Sequence, residues 1–147
     1  TSIDFGGFAL SRVIEKSVGV SFEEAEKLKV AVGLNSNTDK KDVYNAILSG
    51  ISVLRDEINK HYVYWQTHKD ENGEVRSKIE KIIFCGGNAN LFGLIEYLES
   101  TLRTEVVIGD PWVNIFDLKD QVPNIPRDEA LSYTPALGLA LADFFYD

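Results

Sequence analysis

The sequence has no methionine and a single cysteine, Cys85, in 147 residues. One cysteine cannot close an internal disulfide, which fits a reducing compartment. No run of about 18 apolar residues occurs, so no segment is expected to insert directly into a membrane. The first twenty residues also lack the basic stretch followed by an apolar one that marks a signal peptide. Basic side chains are scarce, 15 against 23 acidic, for a net charge of -8. That balance argues against a nucleic-acid partner, because binding phosphates takes clustered Lys and Arg. The only histidines, His61 and His68, have no cysteine or carboxylate at zinc spacing beside them, so no metal site is expected. Neither G-x-G-x-x-G nor G-x-x-x-x-G-K-[ST] is present, which excludes the common dinucleotide and P-loop signatures. A start at Thr1-Ser2-Ile3-Asp4-Phe5 without any Met reads as a processed chain or a piece cut from a longer one.

What is present is enough for a folded core. A chain of this length, 44% hydrophobic, buries roughly 70% of the surface its unfolded form exposes. A short strand is expected at 3–5, broken by Gly6-Gly7. Phe8, Leu10, Val13, Ile14 and Val18 then lie on one side of a helix ending near Gly19. Ser21-Phe22-Glu23-Glu24 is a capping box that opens a second helix, and Gly33 closes it. Asp39 is the expected cap of a third, spanning 40–68. In it Val43, Ile47, Ile51, Leu54, Ile58, Tyr62 and Trp65 form one stripe expected to stay buried for nearly eight turns. Residues 70–74 are a polar turn.

The run Lys81-Ile82-Ile83-Phe84-Cys85 has the pattern of a strand covered on both faces, with Cys85 as a small buried residue. A helix bearing Leu91, Leu94, Ile95, Leu98 and Leu102 is expected at once after Gly86-Gly87-Asn88, then a strand at 105–108. This strand–helix–strand order makes the sheet at least partly parallel and the fold α/β. Pro111, Pro123 and Pro126 mark an irregular stretch, and Thr134-Pro135 reads as cap and first position of the last helix. The expected organisation is a sheet-containing subdomain, 1–6 and 76–147, with a mainly helical subdomain, 7–75, inserted in it.

Two groups of residues bear on chemistry. Gly86-Gly87-Asn88 sits at the carboxyl end of a parallel strand, where open α/β folds bind ligands. Two readings of it stand: a backbone cradle for a ligand, or a tight turn that needs glycine for its own geometry. Glu26 and Lys29 lie three apart on one helix face, either as a pair able to hold a ribose hydroxyl or as a solvated charged face. No catalytic constellation is found.

These pieces together resemble a family. Gly6-Gly7 before a helix, Ala25-Glu26-Lys27-Leu28-Lys29, the long helix, Ile82-Ile83-Phe84-Cys85-Gly86-Gly87-Asn88-Ala89-Asn90-Leu91 and Thr134-Pro135-Ala136-Leu137-Gly138-Leu139-Ala140-Leu141 are similar to the second, C-terminal lobe of the actin- and heat-shock-chaperone-type ATPases. Within that superfamily the chain resembles PilM of type IV pilus assembly, with the division protein FtsA a near second. The resemblance implies the ribonuclease H-like second lobe of an actin-like ATPase. It implies that Gly86, Gly87 and Asn88 form the adenosine motif, that Glu26 and Lys29 contact ribose and base, and that Gly7 lies near the nucleotide. ATP with Mg2+ is the implied ligand. The implied setting is a cytoplasmic scaffold held at the inner membrane by pilus-assembly membrane proteins, with self-association open to it. The chain departs from the family in having Phe8-Ala9-Leu10 where acidic residues are common. It also has no counterpart of the two phosphate loops or the catalytic segment between the lobes. We therefore expect a nucleoside-contacting fragment that does not hydrolyse ATP alone. A protein-interaction module without nucleotide binding, which the charge of -8 favours, and an FtsA-like division scaffold are the alternatives.

Overall fold

Amphipathic periodicity and glycine stops produce three consecutive helices. In the computed structural model, which describes residues 5–113, 115 and 123–145, α1 spans Gly7–Val18, α2 Phe22–Val32 and α3 Lys41–Thr67. Gly19 ends α1 in the left-handed conformation (φ 75°), its N–H donating to the Glu15 carbonyl. The Ser21 hydroxyl caps α2 by accepting the Glu24 N–H at 3.2 Å, as the capping box requires. The three helices pack on one another around Leu10, Ile14, Ala25, Leu28, Val43, Ala46, Ile47 and Ile51, all buried. Gly50 makes the α1–α3 approach possible: a Cβ there would stand 2.6 Å from Leu10 Cδ1 and 3.0 Å from Phe5 Cζ.

Several expectations are corrected here. Asp39 does not cap α3; Lys40 holds that position, and its N–H donates to the Thr38 hydroxyl at 3.2 Å. The buried stripe of α3 stops at Ile51, because α1 and α2 are too short to cover more. Beyond it Leu54, Ile58 and Tyr62 are half-buried and Trp65 is exposed. Phe8, placed on the inner stripe of α1, is exposed and packs on Phe22 with ring centroids 5.0 Å apart.

After α3 the chain reverses through the polar turn at 70–74. Asp70 Oδ1 accepts the N–H groups of Asn72 and Glu74, and an isolated antiparallel bridge joins Lys69 to Val75. Strand β1, Lys81–Phe84, pairs with β2, Glu105–Ile108, in a small parallel sheet. Only one face of β1 is covered among the described residues: Ile83 is exposed, and so is Cys85. The helix expected directly after Gly86-Gly87-Asn88 is divided. A 3-10 turn, Gly87–Asn90, comes first, and α4 runs over Leu94–Leu102. The cause is tertiary: the Phe92 carbonyl accepts the Leu34 N–H at 2.7 Å, and Gly93 turns left-handed (φ 76°) before α4 begins.

The C-terminal part starts with α5, Arg127–Ala130, and a 3-10 turn, Leu131–Tyr133, which run straight into α6, Thr134–Phe145. Thr134 is thus already helical and not a cap; its hydroxyl donates to the Leu131 carbonyl at 2.8 Å. The strand expected at 3–5 lies mostly outside the described residues, and Phe5 is not in a strand.

Two compact units emerge. One comprises the residues up to Ile82 with Leu91–Val106, and the other comprises Ile83–Asn90 with the residues from Val107 onward. Residues 91–106, grouped by sequence with the sheet, therefore lie with the three helices, where α4 packs on α3. No helix among the described residues is long and apolar enough to cross a membrane.

Candidate functional site

The first unit contains a buried polar cluster built by α1 and α2. Helical spacing puts Gly7, Ser11 and Ile14 on one side of α1, and Ala25, Glu26 and Lys29 on the facing side of α2. Ser11 is fully buried and the Lys29 side chain is only 8% exposed. The Lys29 ammonium donates to Ser11 Oγ at 2.9 Å, to Glu26 Oε1 and Oε2 at 3.0 and 2.9 Å, and to the Gly7 carbonyl at 3.3 Å. Ser11 Oγ lies 3.0 Å from the Gly7 carbonyl and also hydrogen-bonds Glu26 Oε1. An ammonium has three N–H donors, and these partners use all three. Glu26 differs, with 40% of its side chain exposed.

The electrostatics of Glu26 follow from this placement. Partial burial pushes its pKa up, but the Ser11 and Lys29 hydrogen bonds and the Lys29 charge outweigh burial, and the carboxyl titrates below its ordinary value. Glu26 is thus held ionised, its inner side gripped by the protein and its outer side open.

Three of the residues expected at a site, Gly7, Glu26 and Lys29, are therefore brought together. Gly86, Gly87 and Asn88 belong to the second unit. Gly86 has φ 92°, which strongly favours glycine, and a Cβ there would meet nothing within 4 Å. At Gly87 a Cβ would lie 2.8 Å from Ser132 Oγ. Asn88 is exposed, whereas Asn90 ties the turn down by donating to the Asp128 carbonyl at 2.7 Å. Both glycines thus have local reasons to be glycine, and the open side of Gly86 leaves its backbone approachable.

The sequence reading missed Ser11. The available signal was a small polar residue on the helix face that carries Gly7 and Ile14, where an apolar side chain would complete the stripe. Among the described residues no group of three or more His, Cys, Asp or Glu is placed to hold a metal.

The profile of the type IV pilus assembly protein PilM matches residues 2–144. The chain belongs to the PilM family. Comparison with curated proteins finds no match. Among solved structures, this PilM-family chain is similar to a chain of a PilM-PilN type IV pilus biogenesis complex, with 21% identity and a TM-score of 0.71. The match covers 95% of this chain and 37% of the solved one, so the chain spans little more than a third of that protein's length. At that identity the likeness is one of fold: a helix-rich, actin-like fold with a small parallel sheet.

Proposed function

We propose that this chain is the nucleoside-contacting part of an actin-like scaffold for type IV pilus assembly. The observation that carries the reading is the Gly7–Ser11–Glu26–Lys29 cluster. It fixes an ionised carboxylate with its outer side open, the arrangement that accepts hydrogen bonds from ribose hydroxyls. In this reading Glu26 meets the sugar. Lys29, whose donors are all engaged within the protein, holds Glu26 and does not reach the nucleotide. The turn at Gly86, Gly87 and Asn88, in the second unit, is proposed separately as a ligand-contacting turn, with open space beside Gly86 that leaves its backbone approachable. When bound, ATP supplies a group whose presence or loss of a phosphate changes what the protein contacts. No step is assigned to Mg2+, whose ligands in this proposal lie with the phosphate-binding segments outside this chain.

The complete protein, in this proposal, docks on the cytoplasmic side of the inner membrane through a pilus-assembly partner. Support comes from family membership and from the similar chain having been solved together with PilN. A second reading, an interaction module that no longer binds nucleotide, is favoured by the engagement of every Lys29 donor and by the local need for both glycines. Titration of the complete protein with a non-hydrolysable ATP analogue separates the two. The nucleotide reading expects Glu26→Gln to weaken binding about tenfold or more, as for a hydrogen bond to a charged group. No binding by the wild type supports the second, whereas measurable and equal affinity in wild type and variant takes Glu26 out of the nucleotide site.

A further inference from the structure

We infer that Ser11, which is fully buried and meets no ligand itself, is the positioning residue that orients the Glu26 carboxylate, making it selective for a ribonucleoside over a 2′-deoxyribonucleoside. This rests on the nucleotide reading above and adds a residue and a specificity to it.

The argument begins with what Lys29 alone would do. Its Nζ stands 3.0 and 2.9 Å from the two Glu26 oxygens. So even a grip leaves the carboxylate free to rock about the ammonium, with neither oxygen assigned to the outside. The Ser11 hydrogen bond falls on Oε1 only. It makes Oε1 the inner oxygen, with two donors from the protein, and leaves Oε2 with one donor and the freer outward lone pair.

The hydroxyl proton has a competing acceptor. Helical serines commonly donate back one turn, and Gly7 O lies 3.0 Å away. Lys29 donates to that same carbonyl at 3.3 Å and takes one of its two acceptor positions, while the ionised Glu26 carboxylate is the stronger acceptor for the single Ser11 proton. The Lys29 ammonium also donates to Ser11 Oγ at 2.9 Å, and this polarises the hydroxyl toward donation. A glutamate otherwise free about three side-chain bonds is thereby pre-organised, and a hydroxyl that binds it pays less ordering entropy. The 2′-hydroxyl of a ribose can take the free outward lone pair of Oε2, whereas a 2′-deoxy sugar leaves that fixed acceptor unpaired.

The test uses the complete protein with ATP and 2′-deoxy-ATP as probes. Ser11→Ala is expected to remove most of the preference for the ribonucleotide, as Glu26→Gln does, with the double variant no worse than Glu26→Gln alone. Ser11→Thr, which keeps the hydroxyl, is expected to retain it. A Ser11→Ala protein with the wild-type preference, beside a Glu26→Gln protein that has lost it, overturns the inference and leaves the nucleotide reading intact. A ligand-free measurement covers the case in which neither nucleotide binds. NMR titration of the Glu26 carboxyl should show its pKa rising in Ser11→Ala and returning in Ser11→Thr. An unchanged pKa overturns the orienting role.

Discussion

The Lys29 ammonium on α2 lies 2.9 Å from the Ser11 hydroxyl on α1, buried together in a core that is otherwise almost wholly apolar. Each satisfies the other, and each is costly if left alone. Lys29→Met keeps the stem and removes the charge, leaving Ser11 and the inner side of Glu26 without their shared donor. We expect a loss of about 1–3 kcal/mol, the cost of stranding buried polar partners, read as a lower urea midpoint with unchanged slope. Because Glu26 retains solvent on one side, the effect should stay below that of breaking a fully buried ion pair.

Acid should weaken the same contact. In the folded protein the Glu26 carboxyl, though burial pushes it up, titrates below its ordinary value of 4.5, held down by the Ser11 and Lys29 hydrogen bonds and the Lys29 charge. Its contribution to stability is therefore complete above about pH 4.5, the unfolded value, and is lost as pH falls through the lower folded value. Chemical denaturation at a series of pH values should show this acid limb in the wild type. Glu26→Gln should flatten it while leaving the remaining carboxylates' acid dependence in place.

Two helix-ending glycines should respond differently to alanine. Gly19 has φ 75° and open space around it, whereas Gly33 has φ 53° and a Cβ there would lie 2.8 Å from both Phe92 Cβ and the Phe92 carbonyl oxygen. Gly19→Ala is expected to lose about 1–2 kcal/mol, the strain of a left-handed residue. Gly33, with φ 53° and ψ −143°, sits in a conformation open essentially to glycine alone, and alanine there also meets a backbone collision, so it should lose distinctly more as Leu34 N–H to Phe92 O, 2.7 Å, stretches. Thermal melts of the two variants side by side give the ordering, and equal losses would show that the Phe92 contact yields freely.

At the Gly86-Gly87-Asn88 turn the two glycines should also separate. Gly86→Ala is strained by its φ of 92° wherever its side chain points. Gly87→Ala meets only the Ser132 hydroxyl, at 2.8 Å, so Ser132→Gly should restore its stability without helping Gly86→Ala. A double-mutant cycle for each pair, by thermal denaturation, reads the coupling.

The far end of α3 offers a milder test. Trp65 Nε1 donates to the Ser77 carbonyl at 2.9 Å, and the Arg76 guanidinium lies 4.5 Å from the Trp65 ring. Trp65→Phe keeps a ring under Arg76 and removes the donor. Faster proteolysis near Ser77 is expected, with the melting temperature of the helical core almost unchanged, since this contact is largely exposed.

Much of this protein follows from short-range rules visible in its residues. Ser21 with Glu24 starts α2, Gly19 and Gly33 end helices, and β2 occupies 105–108, because caps, positive-φ stops and β-branched runs act over a few neighbouring residues. The order of motifs was also enough to suggest the PilM family. Tertiary structure decided what depends on distant partners. Apolar periodicity runs along α3 to Trp65, yet burial ends at Ile51, because periodicity says which face is apolar and not how long a neighbouring helix is. The Phe92 carbonyl, captured by Leu34 from another part of the chain, divides the helix expected after Asn88. Glu26 and Lys29 could equally have been a solvated pair. Only the packing of α1 on α2, which buries Ser11 beside them, turns three ordinary helix residues into a fixed carboxylate with one open side.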